Sequence, residues 1–394
     1  MEDIQCRGFT AAGVAAGIKK RDVLDLGLIY SEVPASAAGV FTRNRVKAAP
    51  VLLSQNRLAA GMARAIVTNA GNANCCTGSE GLEHARRVTE AVAARLNLGA
   101  DAVLAASTGV IGAPLPVKVI QEAVPGLVDA LRPDGFSDFS RSIMTTDTVP
   151  KLIVRRESLS GRPYTLVAAA KGAGMIRPDM ATMLCFICSD AGIDASRLQP
   201  LLRGAVDRTL NRITIDGDTS TNDSVFLLAN GLSGAVARTE AECLEFGRVV
   251  EEALWDIAHR LVKDGEGVTK VVELIVRGAP SGNAARQVAD TVAHSPLVKT
   301  AFFGQDANWG RIIAAAGRSG VAVDPERIDL FFDAVQMVRD GRGCGPDAEA
   351  QVTAVLKKPE FSVTIDLRQG SDSFRMLTCD LSVDYVKINA DYRS

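Results

Sequence analysis

The stretch Lys171-Gly172-Ala173-Gly174-Met175-Ile176-Arg177-Pro178-Asp179-Met180-Ala181-Thr182-Met183-Leu184-Cys185 joins a glycine-rich loop to a threonine that opens an apolar run. Residues 182–188 are almost continuously apolar and of strand length, the pattern of a strand covered on both faces. Thr182 then admits two readings. As a β-branched residue it simply starts a strand. Alternatively it is a nucleophile, whose hydroxyl needs a base within reach; a threonine's own α-amino group can be that base once it has become an N-terminus. A freed α-amine has a reference pKa of about 7.7–8.0, close enough to neutrality to accept the proton. The second reading requires a break between Ala181 and Thr182.

Outward from this stretch, other apolar runs end in small polar turns: residues 65–67 into 68–72, 103–106 into Ser107-Thr108-Gly109, and 166–170 into Lys171-Gly172. They read as buried strands delivering loops to a common edge. Helical spacing joins Leu82, Ala85, Val88, Val92 and Leu96, and again Val249, Val250, Ala253, Leu254, Ile257, Leu261 and Val262. Mixed strands and helices predict a layered α/β fold. The second helix is expected to end at Lys263-Asp264-Gly265, with Gly265 in the left-handed C-terminal position and Glu266 just beyond it. Turn-rich residues 276–283 suggest a domain boundary, giving a core over residues 1–275 and a smaller C-terminal domain over 276–394.

Composition narrows the function classes. The 394 residues carry 44 Lys plus Arg against 46 acidic residues without a block of one sign, so no nucleic-acid or anionic-membrane surface is expected. The acidic start lacks a signal-peptide pattern and no segment is apolar for long enough to span a bilayer, which leads to the expectation of a cytoplasmic protein. Cys185-x-x-Cys188 lies inside an apolar run with no second pair, so buried thiols are expected rather than a metal site. Asp216–Asp223 lacks the glycine and the glutamate of a calcium loop and reads as a polar turn. Gly172-x-Gly174 has Arg177 where a dinucleotide fingerprint needs glycine, and no phosphate-binding loop occurs, so no cofactor is expected. With only His84, His259 and His294 present, and the first two on polar helix faces, a Ser-His-Asp triad is disfavoured. In Ser107-Thr108-Gly109, the Thr108 hydroxyl and the Gly109 N–H are candidate donors to a developing oxyanion; a strand-to-helix turn is the alternative.

Taken together, residues 42–44, 68–73, 107–112, 144–148, 171–184, 211–223, 263–267, 308–312 and 385–392 resemble the ornithine acetyltransferase (ArgJ) family of arginine biosynthesis, in order along the whole chain. The resemblance implies an N-terminal-nucleophile-type sandwich and self-cleavage between Ala181 and Thr182, giving an α chain (1–181) and a β chain (182–394) associated as an α2β2 heterotetramer. It also implies transfer of acetyl from N2-acetylornithine to Thr182 and then to glutamate, with Thr108 and Gly109 stabilising the oxyanions. Substrate contacts carried over are Thr145, Lys171, Thr182, Glu266, Asn389 and Ser394. Acetyl-CoA is a further candidate acetyl donor, and no metal is implied. The family often has threonine at the position of Ser394 and proline at that of Ala307. Two competitors are an amidase or aminopeptidase of related fold, in which water resolves the acyl-threonine, and an amino-acid-binding protein that would remain uncut.

Overall fold

The computed structural model describes residues 4–19, 22–177 and 183–391. They form two compact units: one takes in the residues up to Asn211 together with Asp218–Leu261, the other Arg212–Gly217 and the residues from Val262 onward.

In the first unit the strands are β1 (Phe9–Val14), β2 (Leu26–Phe41), β3 (Met62–Asn72), β4 (Val103–Val110), β5 (Lys151–Leu159), β6 (Arg162–Lys171), β7 (Leu184–Ser189), β8 (Gly192–Ile193), β9 (Ser224–Ala229) and β10 (Val236–Ala237). Among the described residues, eight of them join in the order β4-β3-β2-β9-β7-β6-β5, with β1 on β2. The 16-residue β2 pairs through its first half with β1 and β3 and through its second half with β9. A register shift between Tyr30 and Ala35 separates the halves. The strand therefore belongs to two layers, and one core lies between them: Ile29, Ile66, Leu104 and Ala106 pack with Val167, Leu184, Phe186, Phe226 and Leu228. Phe186 stacks on Phe226 at 5.7 Å and meets Phe139 edge-on at 5.1 Å. Each such ring contributes on the order of 2–3 kcal/mol through burial.

Helices pack against these strands, with Phe136 and Phe139 of one of them inside the core just described. They are α1 (Ala49–Arg57), α2 (Gly78–Leu96), α3 (Val117–Asp129), α4 (Phe136–Ser142), α5 (Ala195–Arg208) and α6 (Glu240–Lys263). The apolar stripe of α2 (Val88, Val92) and that of α3 (Ile120, Val124, Leu127) share a core with Leu26, Leu28, Ala65, Val67 and Val103. On α6, Phe246 packs its ring 5.8 Å from Tyr164 of β6. The layered α/β architecture expected from the strand and helix patterns, and the sandwich that the family resemblance implies, is the architecture observed. β7 forms where the apolar run predicted a strand, and all six of its residues are buried. Burial pushes the Cys185 thiol up to about 12 and raises Cys188 further, so neither thiol is reactive near neutral pH.

The second unit holds β11 (Val271–Ala279), β12 (Asp329–Phe332), β13 (Val335–Arg339), β14 (Arg342–Gly343), β15 (Glu360–Asp366) and β16 (Asp372–Cys379), in the order β14-β13-β12-β15-β11-β16. Its helices are α7 (Gly282–Ala293), α8 (Pro296–Phe303), α9 (Trp309–Gly317), α10 (Pro346–Leu356) and α11 (Val383–Asp391). Val272, Leu274 and Val276 of β11 pack against Ala285, Val288, Ala289 and Val292 of α7. The units divide at Leu261/Val262, within α6. Residues 276–283 are a strand end and a helix start inside the second unit, because glycine, proline and serine make tight β–α turns as readily as linkers. No helix among the described residues is long and apolar enough to cross a membrane.

Candidate active site

Strand register brings several chain ends to one edge of the first unit. Lys171 at the end of β6 pairs with Leu184 at the start of β7, Leu184 with Ser224 at the start of β9, and Ser224 with Phe41 at the end of β2. The end of β4 is tied to the same edge by Asn222, whose Nδ2 donates to Ser107 O (2.8 Å) and Ala73 O (2.7 Å). Ser107 Oγ in turn donates to Asn69 Oδ1 (2.6 Å), and Asn69 Nδ2 to Asn72 O (2.8 Å). This buried polar lattice fixes the β3 and β4 termini, and hence Thr108 and Gly109, without relying on solvent.

Gly109 adopts φ +129°, and a Cβ there would sit 2.3 Å from the Gly71 carbonyl carbon. Only glycine permits the β3 and β4 backbones to approach so closely. Beside it, Lys171 is 4% exposed and donates from Nζ to Thr145 Oγ1 (2.6 Å) and Thr108 Oγ1 (3.3 Å). Three of the residues singled out in the sequence therefore converge. Because the ammonium can only donate, each threonine oxygen accepts from it and each hydroxyl proton is directed elsewhere.

Asp147 completes this arrangement. Its side chain is fully buried, with Lys151 Nζ at 2.6 Å and Lys171 Nζ at 3.9 Å, and its oxygens accept from Gly172 N (2.7 Å) and Thr145 N (3.0 Å). Burial alone would raise its pKa, but Lys171, Lys151 and the Thr145 N–H outweigh it and hold the carboxyl at about 2. Asp147 is thus a permanent anion that orients Lys171 and fastens the loop carrying Thr145 to the one carrying Gly172. A second buried carboxyl, Asp223, accepts from Met183 N at 3.0 Å and leaves Oδ2 without a hydrogen-bond partner among the described residues. Burial raises its pKa well above the carboxylate range, outweighing the Met183 N–H, the Lys171 ammonium and the nearby Ser220 hydroxyl. The sequence reading gives no site role to Asp147, Lys151, Asn222 or Asp223, although three of them fall inside its motif segments. The signal available was a polar cluster between apolar strands, Thr145-Thr146-Asp147 before Lys151 and Thr221-Asn222-Asp223 before residues 224–229.

Ala181, Thr182 and Ser394 lie outside the described residues. Glu266 and Asn389 belong to the second unit, where Asn389 Nδ2 donates to Glu266 Oε2 at 2.9 Å. The turn that carries Glu266 differs from expectation. The left-handed residue is Gly267 (φ +68°), not Gly265, whose Cβ would instead meet Val268 and Ile215 at 2.7 and 2.9 Å. Gly267 O accepts from Ser382 Oγ at 2.6 Å, docking the turn on the start of α11. Among the described residues no three His, Cys, Asp or Glu side chains are grouped to hold a metal ion.

A profile described as the ArgJ family matches residues 10–394. The arginine biosynthesis bifunctional protein ArgJ of Geobacter sulfurreducens is 51% identical over 390 residues, spanning 98% of this chain and 99% of that one. The protein of the same name from Syntrophotalea carbinolica is 49% identical over 393 residues, spanning 99% and 100%. A crystal structure of an arginine biosynthesis bifunctional protein argJ from Bacillus halodurans matches with a TM-score of 0.50 and 40% identity, over 52% of this chain and 98% of that chain.

Proposed function

Since this chain belongs to the ArgJ family and is an acyltransferase of arginine biosynthesis, we propose that it moves the acetyl group of N2-acetylornithine to glutamate through an acetyl-Thr182 intermediate. The observation that carries the reading is the buried contact of Lys171 with both Thr108 and Thr145, beside a strand that begins two residues after Thr182.

In the first half-reaction the Thr182 hydroxyl attacks the acetyl carbonyl while its free α-amine takes the hydroxyl proton. The Thr108 hydroxyl, polarised because its oxygen accepts from Lys171, and the Gly109 N–H stabilise the oxyanion. The C–N bond breaks, the proton passes to the departing nitrogen and ornithine leaves. In the second half-reaction the glutamate amine attacks the acetyl ester and releases N-acetylglutamate, restoring the threonine. Both substrates are α-amino acids that need one cationic and one anionic partner, for which Lys171, Thr145, Glu266, Asn389 and Ser394 are the proposed contacts. No cofactor takes part. An acetyl thioester such as acetyl-CoA enters the scheme as a second donor to the same hydroxyl.

The liberated amine requires the chain to be cut before Thr182, giving 1–181 and 182–394, which we propose assemble as α2β2. The Bacillus halodurans chain supports this, since 98% of it is spanned by about half of the present chain, the size left by a cut near the middle. The test is intact mass and N-terminal sequencing of the purified protein, then incubation with N2-acetylornithine. A fragment beginning at Thr182 that gains one acetyl is expected, and Thr182→Ala should abolish both cleavage and adduct. An uncut, fully active wild-type chain would refute the scheme.

A further inference from the structure

We infer that Cys75 and Cys76 form a dithiol modification site: a hydroperoxide oxidises the pair to a disulfide between neighbouring residues, and closing that bond displaces the Thr108 and Gly109 donors. The coupling to Thr108 and Gly109 rests on the acetyl-transfer reading above; the chemistry of the pair does not.

Three observations carry it. First, the two sulfurs are already in contact, with Cys75 Sγ 3.8 Å from Cys76 Sγ. Neighbouring side chains of an extended segment point to opposite faces, so such contact needs a turn in the chain. Cys76 supplies it by adopting a left-handed backbone, φ +58°. That conformation is unfavourable for a residue with a Cβ and persists where the surroundings hold it. Here Asn74 Oδ1 accepts from Thr77 Oγ1 (3.0 Å), Asn74 Nδ2 donates to Gly81 O (2.9 Å), and Cys75 O accepts from Gly112 N (3.0 Å).

Second, the two thiols have different surroundings. Cys76 is exposed, whereas Cys75 is 1% exposed and packs with Ala48, Val51 and Ala73. One sulfur is open to a dissolved oxidant and the other is within reach of its neighbour alone, which are the places of an attacked and a resolving thiol. Burial raises the Cys75 pKa and outweighs the hydrogen bond from the Thr221 side chain, so Cys75 stays a thiol near neutral pH.

Third, Cys75 belongs to the polar lattice behind the oxyanion donors. Its thiol hydrogen-bonds with the Thr221 side chain, and Thr221 Oγ1 donates to Asn222 Oδ1 at 2.6 Å. Asn222 in turn holds Ala73 O and Ser107 O. Disulfide formation shortens the sulfur separation from 3.8 Å to about 2.05 Å, which draws Cys75 Sγ from Thr221 and loosens the lattice at Ser107. Cα atoms of neighbouring residues are about 3.8 Å apart. Most disulfides span roughly 4.4–6.8 Å, so the ring that closes is strained and a dithiol reopens it.

The oxidation balances as follows. The Cys76 thiolate attacks one peroxide oxygen; an S–O bond forms, the O–O bond breaks, and the departing oxygen leaves as water after taking up protons. The Cys75 sulfur then attacks the Cys76 sulfenic sulfur, an S–S bond forms, the S–O bond breaks, and hydroxide leaves as water with the Cys75 proton. Two thiols and one hydrogen peroxide give one disulfide and two waters, with two electrons passing from sulfur to oxygen.

In the experiment, purified protein is reduced with dithiothreitol, freed of it, treated with hydrogen peroxide, alkylated in denaturant and digested with trypsin. Peptide 65–86 carries these two cysteines and no other. It should be lighter than its reduced form by two hydrogen atoms and take up no alkyl group; a peptide that still takes two alkyl groups, or ends as a sulfinic acid, overturns the site. N-acetylglutamate formation should fall at least ~tenfold on oxidation and return with dithiothreitol. An unchanged rate in protein whose peptide is fully oxidised overturns the coupling to Thr108 and Gly109. Cys76→Ser should keep the untreated rate and lose both responses, and its inactivation by peroxide as fast as wild type would also overturn the coupling. If Cys76→Ser does not fold, Cys75→Ala replaces it: Cys76 should then stop at a sulfenic acid that dimedone captures, and absence of capture overturns the site. Reduced wild-type protein that makes no N-acetylglutamate sinks the parent scheme and the coupling with it, while the mass of peptide 65–86 still decides the site.

Discussion

Replacing Asp147 by asparagine should be among the most destabilising single changes in the first unit, and the structure allows the size of the effect to be worked out. The carboxylate lies 2.6 Å from Lys151 Nζ and 3.9 Å from Lys171 Nζ, with all three side chains buried. At an effective dielectric of ~20 these attractions amount to roughly 6 and 4 kcal/mol, and the desolvation of three charges opposes them. The balance is visible in the carboxyl group, held at about 2 against a reference value near 3.9. That difference corresponds to roughly 2.5 kcal/mol. Because the folded-state pKa is depressed, this stability is fully present above about pH 4 and is lost as the pH falls through about 2. Asparagine leaves two buried ammonium groups facing a neutral amide, so the loss should be larger, about 3–5 kcal/mol. Adding Lys151→Met removes one of the two buried cations while filling similar volume, and should recover most of that loss. The assay is urea unfolding at pH 7 in a Thr182→Ala background, where every variant is a single chain. A midpoint for Asp147→Asn equal to its reference, or a double variant no more stable than Asp147→Asn, would refute the reasoning.

Other consequences can be checked separately. Asp223 has a raised folded-state pKa, so its contribution to stability is complete below its unfolded value and is lost as the pH rises toward the folded one. In the Thr182→Ala background, Asp223→Asn should therefore melt progressively higher than its parent between pH 4 and pH 8, and a pH-independent difference would contradict a buried neutral acid. Thr108→Val keeps the shape of the side chain but removes the proposed oxyanion donor; kcat should fall on the order of 10²–10³-fold with little change in KM, measured by N-acetylglutamate formation. Glu266→Gln should weaken amino-acid binding by about 1–3 kcal/mol if it faces a desolvated ammonium, read from KM for both substrates. Unchanged constants would remove it from the site.

The elements that the sequence reading found are those whose apolar spacing is a strong periodic signal: the fully buried β7, and α2 and α6 with their stripes. The shared edge was also readable, because each strand runs directly into a small polar turn. The Lys171 contacts are of another kind. They follow from the order β9-β7-β6 and from the register that sets Lys171 opposite Leu184, both of which are pairings between distant segments. Asp147 and Lys151 were missed for a related reason. A buried charge has no period of its own, and Lys151 at the head of the apolar strand β5 looks like an ordinary solvent-facing start. Asp223 was hidden in a run of polar residues that individually suit a turn, and only the Met183 N–H distinguishes it from them. Gly265 illustrates the opposite error: helix-end chemistry identified a glycine turn correctly but chose the wrong glycine, because packing against Val268 and Ile215 rather than backbone handedness excludes a side chain at Gly265. Local patterns thus brought the right segments to one edge, and long-range register decided which of their polar side chains meet. The chemistry proposed for this protein depends on the second, since Lys171 polarises Thr108 only because β6 and β4 end at the same place.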